Sequence, residues 1–234
     1  MREIIFDTET TGLDNQTDRV IEIGGVELSN KFPTGRTFHV YINAQGQKVH
    51  PEALAVHGIT DEFLQDKPVF GDIVGDMSAL FDGAKLVAHN AGFDIGFINA
   101  ELARLGLPPV DPSRVIDTLA LARRRHPMGP NSLDALCKRY GIDNSRRTKH
   151  GALLDAELLA EVYIEMNGGR QAALGLGVAD RDTGDRAETS DHVAESAGAR
   201  PIPLAARLSE EEIAAHRKMK EALGEKALWN DYTE

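Results

Sequence analysis

The run Ile5-Phe6-Asp7-Thr8-Glu9-Thr10-Thr11-Gly12 places two carboxylates two positions apart at the end of an apolar segment that reads as the first strand of the chain. Side chains alternate along a strand, so Asp7 and Glu9 point to one face and Thr8 to the other. Like charges held that close repel each other. The pair is tolerated only if one carboxyl is protonated or a cation sits between them. Whatever packs beside this strand end has to meet that demand.

Arg2 to Phe6, Val20 to Leu28 and Thr37 to Ile42 read as three strands separated by turn-rich pieces, a meander at the N-terminal end. Helical spacing follows over Pro68 to Phe81, then a short buried strand at Lys85 to Ala88. Ala91 to Leu105 carries Ile95, Ile98, Leu102 and Leu105 as an apolar stripe. Val115 to Ile116 supplies a fifth strand. Asn131-Ser132 caps a helix running to Tyr140, and Ala152 to Met166 is a last periodic helix closed by Gly168-Gly169. Strands first, then alternating helices and strands, predict an α/β fold with a mixed five-stranded sheet flanked by helices.

The chain of 234 residues has a formal charge of -11, which argues against tight autonomous binding to nucleic acid. The charge is uneven. Between Leu121 and Gly151, Arg123, Arg124, Arg125, Lys138, Arg139, Arg146, Arg147 and Lys149 face only Asp134 and Asp143, so this stretch carries +6 and the rest -17. A basic run of this kind reads as a solvated face, here leading into His150. The single Cys137 excludes an internal disulfide framework and a Cys-rich zinc site. No apolar stretch approaches the roughly 20 residues that span a bilayer, and the first strand leaves no room for a signal peptide. A cytoplasmic protein without membrane contact is expected.

Two further segments suit the opening pair. His89-Asn90-Ala91-Gly92-Phe93-Asp94 puts Asp94 in the first turn of a helix, at the border of the core. His150-Gly151-Ala152-Leu153-Leu154-Asp155 puts Asp155 just inside the last helix of the domain, with His150 on the preceding loop, a mobile histidine beside a fixed carboxylate. Three Asp and one Glu form a hard oxygen set that suits magnesium or manganese rather than zinc. Two metals a few ångströms apart can hold both the attacking and the leaving oxygen of an in-line phosphoryl displacement. Imidazole side chains serve as general bases near neutral pH, so His150 is the candidate to deprotonate the attacking water. A phosphatase using Asp7 as nucleophile is a competing solution, although Glu9 stands where that chemistry has a second Asp.

These three segments resemble, in order, the motifs of the DEDDh 3'-5' exonucleases, and within them the proofreading subunits of bacterial replicative polymerases. The resemblance implies a ribonuclease H-like fold over residues 1–169. It implies two divalent ions, Mg2+ or Mn2+, held by Asp7, Glu9, Asp94 and Asp155, with His150 as general base. It also implies that Glu52 and His57 contact the terminal nucleotide of a single-stranded DNA 3' end. Thr10, Gly12 and Leu13 would approach its base and sugar, and Asn90 and Phe93 would line the strand's entry. On residue type alone Phe93 and Phe97 read as core, and His39, His50, His126, His192 and His216 as ordinary, partly exposed histidines. An RNA trimmer and an inactive structural subunit are the other readings.

From 170 to about 200 the composition turns to Gly, Ala, Asp, Glu, Ser and Thr without an aromatic residue, which predicts a flexible linker. Gln171-Ala172-Ala173-Leu174-Gly175-Leu176 resembles peptides that dock into the bacterial sliding clamp. Ser209-Glu210-Glu211-Glu212 is a capping-box pattern opening a helix to about Ala227, followed by Leu228 and Trp229. Residues 201–234 resemble the tail through which such exonucleases bind the polymerase subunit, and Ile213, Met219, Leu223, Leu228 and Trp229 would anchor it.

Overall fold

Strand β1 (Arg2–Thr10), which carries Asp7 and Glu9, lies at the centre of a five-stranded sheet. It pairs antiparallel with β2 (Val20–Ser29), which pairs antiparallel with β3 (Phe32–Tyr41). After helices α1 (Pro51–His57), α2 (Asp61–Leu64) and α3 (Phe70–Phe81), strand β4 (Lys85–Ala88) joins β1 in parallel. Helix α4 (Ala91–Arg104) then leads to β5 (Val115–Asp117), parallel to β4, giving the order β3-β2-β1-β4-β5. Helices α5 (Thr118–Arg125), α6 (Leu133–Tyr140) and α7 (Ala152–Met166) complete this unit. The computed structural model describes residues 1–147, 149–169 and 209–224.

A central strand is covered on both faces, so its apolar run need not alternate with polar residues. Ile4 and Phe6 pack with Phe70 and Met77 of α3 and with Phe97 and Ile98 of α4. Ile5 faces the other way, with Val87, Leu136, Leu159 and Tyr163. Helix α7 buries residues around most of its circumference, Ala152, Asp155, Ala156, Leu159, Val162, Tyr163 and Met166 among them. It lies against both β1 and β2. The helix is present as expected, but its apolar residues are not confined to one stripe.

The expected strands and long helices are present, with shifts at their ends. Strand β3 begins at Phe32 rather than Thr37, and α3 at Phe70 rather than Pro68. Leu105, expected on the buried stripe of α4, is instead its exposed C-cap, because the helix ends at Arg104. Ser132 Oγ accepts from Ala135 N and caps α6, and Gly141 ends that helix with φ 68°, a left-handed conformation that suits a residue without a Cβ. The short helices α1, α2 and α5 lacked a readable pattern.

Helix α8 (Glu210–Leu223) belongs to a separate unit. Ser209 and Glu212 form the expected capping box, with Ser209 N donating to Glu212 Oε2 at 2.8 Å and Glu212 N to Ser209 Oγ at 3.3 Å. Ile213, Met219 and Leu223 are exposed. At about 100° per residue they share an arc of roughly 120°. The clamp-like peptide Gln171 to Leu176, His192, Leu228 and Trp229 lie outside the described residues. Among the described residues no helix is long and apolar enough to cross a membrane.

Candidate active site

The register of β1 on β2 sets Asp7 opposite Gly24 and Glu9 opposite Glu22. Gly24 is what lets α7 come in close: a Cβ there would overlap the backbone of Ala152 and Leu153. The N-terminal turn of α7 therefore rests on the sheet, and Asp155 in that turn is carried to the carboxylates of β1. On the opposite face Thr8 receives Asp94 from the first turn of α4. Thr8 N and Thr8 Oγ1 donate to Asp94 Oδ1 at 3.1 and 2.7 Å. Strand alternation thus holds, and Thr8, which pointed away from the pair, is the residue that fixes Asp94.

The four carboxylates crowd one another. Burial pushes the Asp7 carboxyl well above its usual range, reinforced by Asp94, Glu9 and Asp155. Glu9 is pushed up to about 8 by burial, then by Glu22 across the ladder, with Asp155 and Asp94 adding to the effect. Asp94 is pushed up to about 7 by burial, against the opposing bonds from Thr8. Such a set is short of positive charge. Glu9, His150 and Asp155 each offer one ligand atom, and these atoms lie within 4.8 Å of one another. The donors are carboxylate oxygens and one imidazole, so the residues present fit a hard divalent cation.

Positive charge already reaches Asp155 from Arg147. Its Nε donates to Oδ1 at 2.5 Å and its Nη2 to Oδ2 at 2.6 Å, while Nη1 donates to Asp134 Oδ2 at 2.9 Å. Burial would raise the Asp155 carboxyl, but the bonds and charge of Arg147 hold it below the usual range. The Arg147 side chain is only 7% exposed. It therefore departs from the expectation that the basic run forms a solvated face. His150 sits on the loop before α7 as predicted, but it is held rather than loose. Its backbone N donates to Val56 O at 3.2 Å, and its Nδ1 lies 2.8 Å from Arg147 Nη2 and 3.2 Å from Asp155 Oδ2.

Two cavities adjoin here. One of about 300 Å³ holds Asp7, Glu9, Asn90, Phe93, Asp94, Arg147, His150 and Asp155. The other, of about 510 Å³, holds Thr10, Gly12, Leu13, Glu52 and His57, and shares Thr8, Glu9 and Phe93 with the first. The residues expected to contact substrate are thus divided: Asn90 stands with the carboxylates, with φ 65° before α4, and the others form the neighbouring chamber. Phe97 is core, whereas Phe93 packs against it with ring centroids 4.8 Å apart and tilted, and lines both cavities. His57 is buried, its Nδ1 accepts from Ile59 N at 2.9 Å, and burial pushes its pKa down. The Gly12 turn is fixed by Asp18, which accepts from Asp14 N and Thr11 Oγ1, and a Cβ on Gly12 would overlap the Asp18 carboxylate.

Three features escaped the sequence reading. Glu22 is buried opposite Glu9, with His39 Nε2 at 2.7 Å from its Oε1. His39, partly exposed as expected, is thus also a partner of that carboxylate. His50, also read as ordinary, lines the larger cavity and pairs with Asp18 at 3.2 Å. Arg147 was visible only as one charge in a run. The alternation of β1 and β2 had the information to place Glu22 beside Glu9, once their antiparallel register was known.

A central mixed sheet with acidic residues converging from β1, α4 and α7 defines a nuclease-like site, and comparison with known proteins agrees. The family model described as Exonuclease (RNase_T) matches residues 4–163, and the chain belongs to that family. Its relatives include DNA polymerase III subunit epsilon of Salmonella typhimurium, 46% identical with 97% of each chain covered. A second relative of the same name, from Rickettsia felis, is 51% identical over 74% of this chain and 77% of its own. Within the exonucleases the chain belongs with the DNA polymerase III epsilon subunits. Among solved structures, exonuclease X in complex with 5' overhanging duplex DNA is 29% identical with a TM-score of 0.54, covering 71% of this chain and 90% of that one.

Proposed function

We propose that this chain edits DNA replication as a 3'-5' exonuclease, removing mispaired 3'-terminal nucleotides as nucleoside monophosphates. The observation that carries this reading is the convergence of Glu9, His150 and Asp155 to within 4.8 Å beside Asp7 and Asp94, in a chain of the epsilon family. Asp7, Glu9, Asp94 and Asp155 would hold two divalent ions, Mg2+ or Mn2+. When bound, the ions supply charge stabilisation to the phosphoryl transfer and a polarised water.

The protein's own groups do the rest. His150 takes a proton from the attacking water. Glu52 and His57, with Thr10, Gly12 and the exposed Leu13, receive the terminal nucleotide in the larger chamber, and Asn90 and Phe93 guide the strand past the carboxylates. Selectivity arises because a mispaired end unpairs at lower cost and so enters the site more often, which needs no base readout.

The strongly acidic chain is held on its substrate by tethering. Residues 1–169 form the exonuclease domain and 170–200 a linker. Residues 201–234 bind the DNA polymerase III alpha (polymerase) subunit, with the exposed Ile213, Met219 and Leu223 on one arc of α8 as part of the contact. Gln171 to Leu176 engages the sliding clamp. Linkage raises the effective concentration at the primer end without requiring high intrinsic affinity. The protein works in the cytoplasm, at the nucleoid. A degradation assay on matched and mispaired primer ends, with and without chelator, tests the reading: faster, chelator-sensitive release of mispaired termini is expected, and chelator-resistant cleavage overturns it.

A further inference from the structure

We propose that Arg147 is a built-in counter-cation of Asp155 and a hydrogen-bonding cover on His150, which a divalent ion must displace before the site can work. The inference rests on the reading of Asp155 as a metal ligand. Both oxygens of Asp155 accept from the guanidinium, at 2.5 and 2.6 Å, in the paired geometry that makes arginine and carboxylate strong partners. A cation approaching those oxygens meets a fixed positive charge that already satisfies them.

The same guanidinium also covers the base. Arginine has donors only, so the 2.8 Å contact of Nη2 with His150 Nδ1 requires that Nδ1 present its lone pair to Arg147. In the neutral ring the other nitrogen then carries the hydrogen. Neither nitrogen is left to take a proton from water. Displacement of Arg147 from Asp155 removes both obstacles at once, because Nη2 bonds Asp155 and His150 together. Availability of the base is thereby tied to loading of the ligand. The third arm explains how the guanidinium is held in this pose: Nη1 donates to Asp134 Oδ2 at 2.9 Å, a carboxylate from α6 that is 58% exposed and outside the metal set.

A clamp that competes with the ion and a merely structural arginine predict opposite changes in metal affinity. Mn2+ binding to the full chain at fixed pH, read by electron paramagnetic resonance, should be about 10-fold tighter in Arg147→Gln than in the wild type. Asp134→Asn, which loosens the clamp from its exposed end, should tighten binding by about 3-fold and keeps the test alive if Arg147→Gln does not fold. In nitrogen-15 spectra the Arg147 Nε–H signal should shift on saturation with Mg2+ as its bond to Asp155 is lost. Equal or weaker Mn2+ binding in both variants, or an Nε–H signal unmoved at saturation, overturns the proposal. Asp7→Ala separates the two readings. If it binds Mn2+ like the wild type, the metal-site reading itself fails; if it loses Mn2+ while the Arg147 and Asp134 variants match the wild type, only the clamp fails.

Discussion

Gly24 on β2 and Leu153 on α7 meet backbone to backbone, with no room for a side-chain carbon between them. This contact seats the first turn of α7 on the sheet and sets how far Asp155 can reach toward Asp7, the register partner of Gly24. A methyl group at Gly24 has to push the helix off. Gly24→Ala is therefore expected to cost about 1–3 kcal/mol through overpacking, a fall of roughly 3–10 °C in melting temperature at this size. Nuclease activity should drop further than folding does, because a displacement of about 1 Å in a positioned group costs on the order of 100-fold in rate. A melting curve and a single-strand degradation assay on one preparation check both. Wild-type activity would show that α7 does not depend on the close approach.

The crowding of Glu9 has a pH signature. Its carboxyl is raised from an ordinary 4.5 to about 8, first by burial and then by Glu22. In the folded, metal-free protein Glu9 therefore holds a proton over a pH range in which the unfolded chain has lost it. The stabilisation is complete below about pH 4.5 and is lost as pH rises through 8. Raised Asp7 and Asp94 act in the same direction. The melting temperature in chelator should thus fall between pH 5 and 8, and Mn2+ should restore it by binding the ionised form. Glu9→Gln should melt higher than the wild type in chelator at pH 8, by roughly 5 °C, while being inactive. A Glu9→Gln protein that melts lower at pH 8 contradicts the assignment.

At the far end of β1 lies a separate buried network. Glu3 is fully buried, and its Oε1 accepts from Lys31 Nζ at 2.6 Å and from Tyr163 Oη at 2.8 Å. Removing the phenol hydroxyl leaves a buried carboxylate with one partner fewer, which costs about 1–3 kcal/mol. Tyr163→Phe is expected to lower the melting temperature by roughly 3–10 °C and to leave kcat per folded molecule unchanged. A tenfold loss of kcat would tie this network to the reaction.

The three chemical motifs were legible because each is local: a strand end, a helix start and a loop entering a helix announce themselves within six or seven residues. Helices α4 and α7 were legible through the helical spacing of their apolar residues. Relationships spanning the fold were not. The role of Gly24 depends on a helix more than a hundred residues later. The Glu9–Glu22 opposition depends on strand register, and the seating of Asp94 on Thr8 on a contact between β1 and α4. Arg147 was misjudged for a related reason: among eight basic residues, only its burial against Asp134 and Asp155 distinguishes it. Helix α5 hid behind Arg123, Arg124 and Arg125, which fill its last turn and leave too short an apolar pattern to read.

The assignment of His150 separates proton transfer from metal holding. Its imidazole lies close enough to Glu9 and Asp155 to serve as a ligand, yet it stands on a loop and is 45% exposed, as suits a group that must meet water. If it is the base, His150→Ala should lower kcat by about 100-fold or more while the number of Mn2+ ions bound stays the same. Activity should then regain a steep dependence on hydroxide as pH is raised. If Mn2+ stoichiometry falls with the rate, His150 is a ligand and the base lies elsewhere.

The tail gives the last test, since it concerns how so acidic a protein acts on DNA. The unit that carries every site residue ends before α8, and α8 lies in the second unit with Ile213, Met219 and Leu223 exposed on one arc. Isolated apolar residues at a surface need no explanation, but three on one face of a helix too short to be stable alone call for a partner. A chain ending at Gly169 should therefore degrade single strands with the kcat of the full chain. It should fail to co-purify with the polymerase subunit, and its rate on a polymerase-bound primer should fall to the level seen in free solution. Ile213→Asp with Leu223→Asp in the full chain should reproduce that loss without changing single-strand degradation. Co-purification of the shortened chain at the wild-type level would place the contact on the exonuclease domain itself.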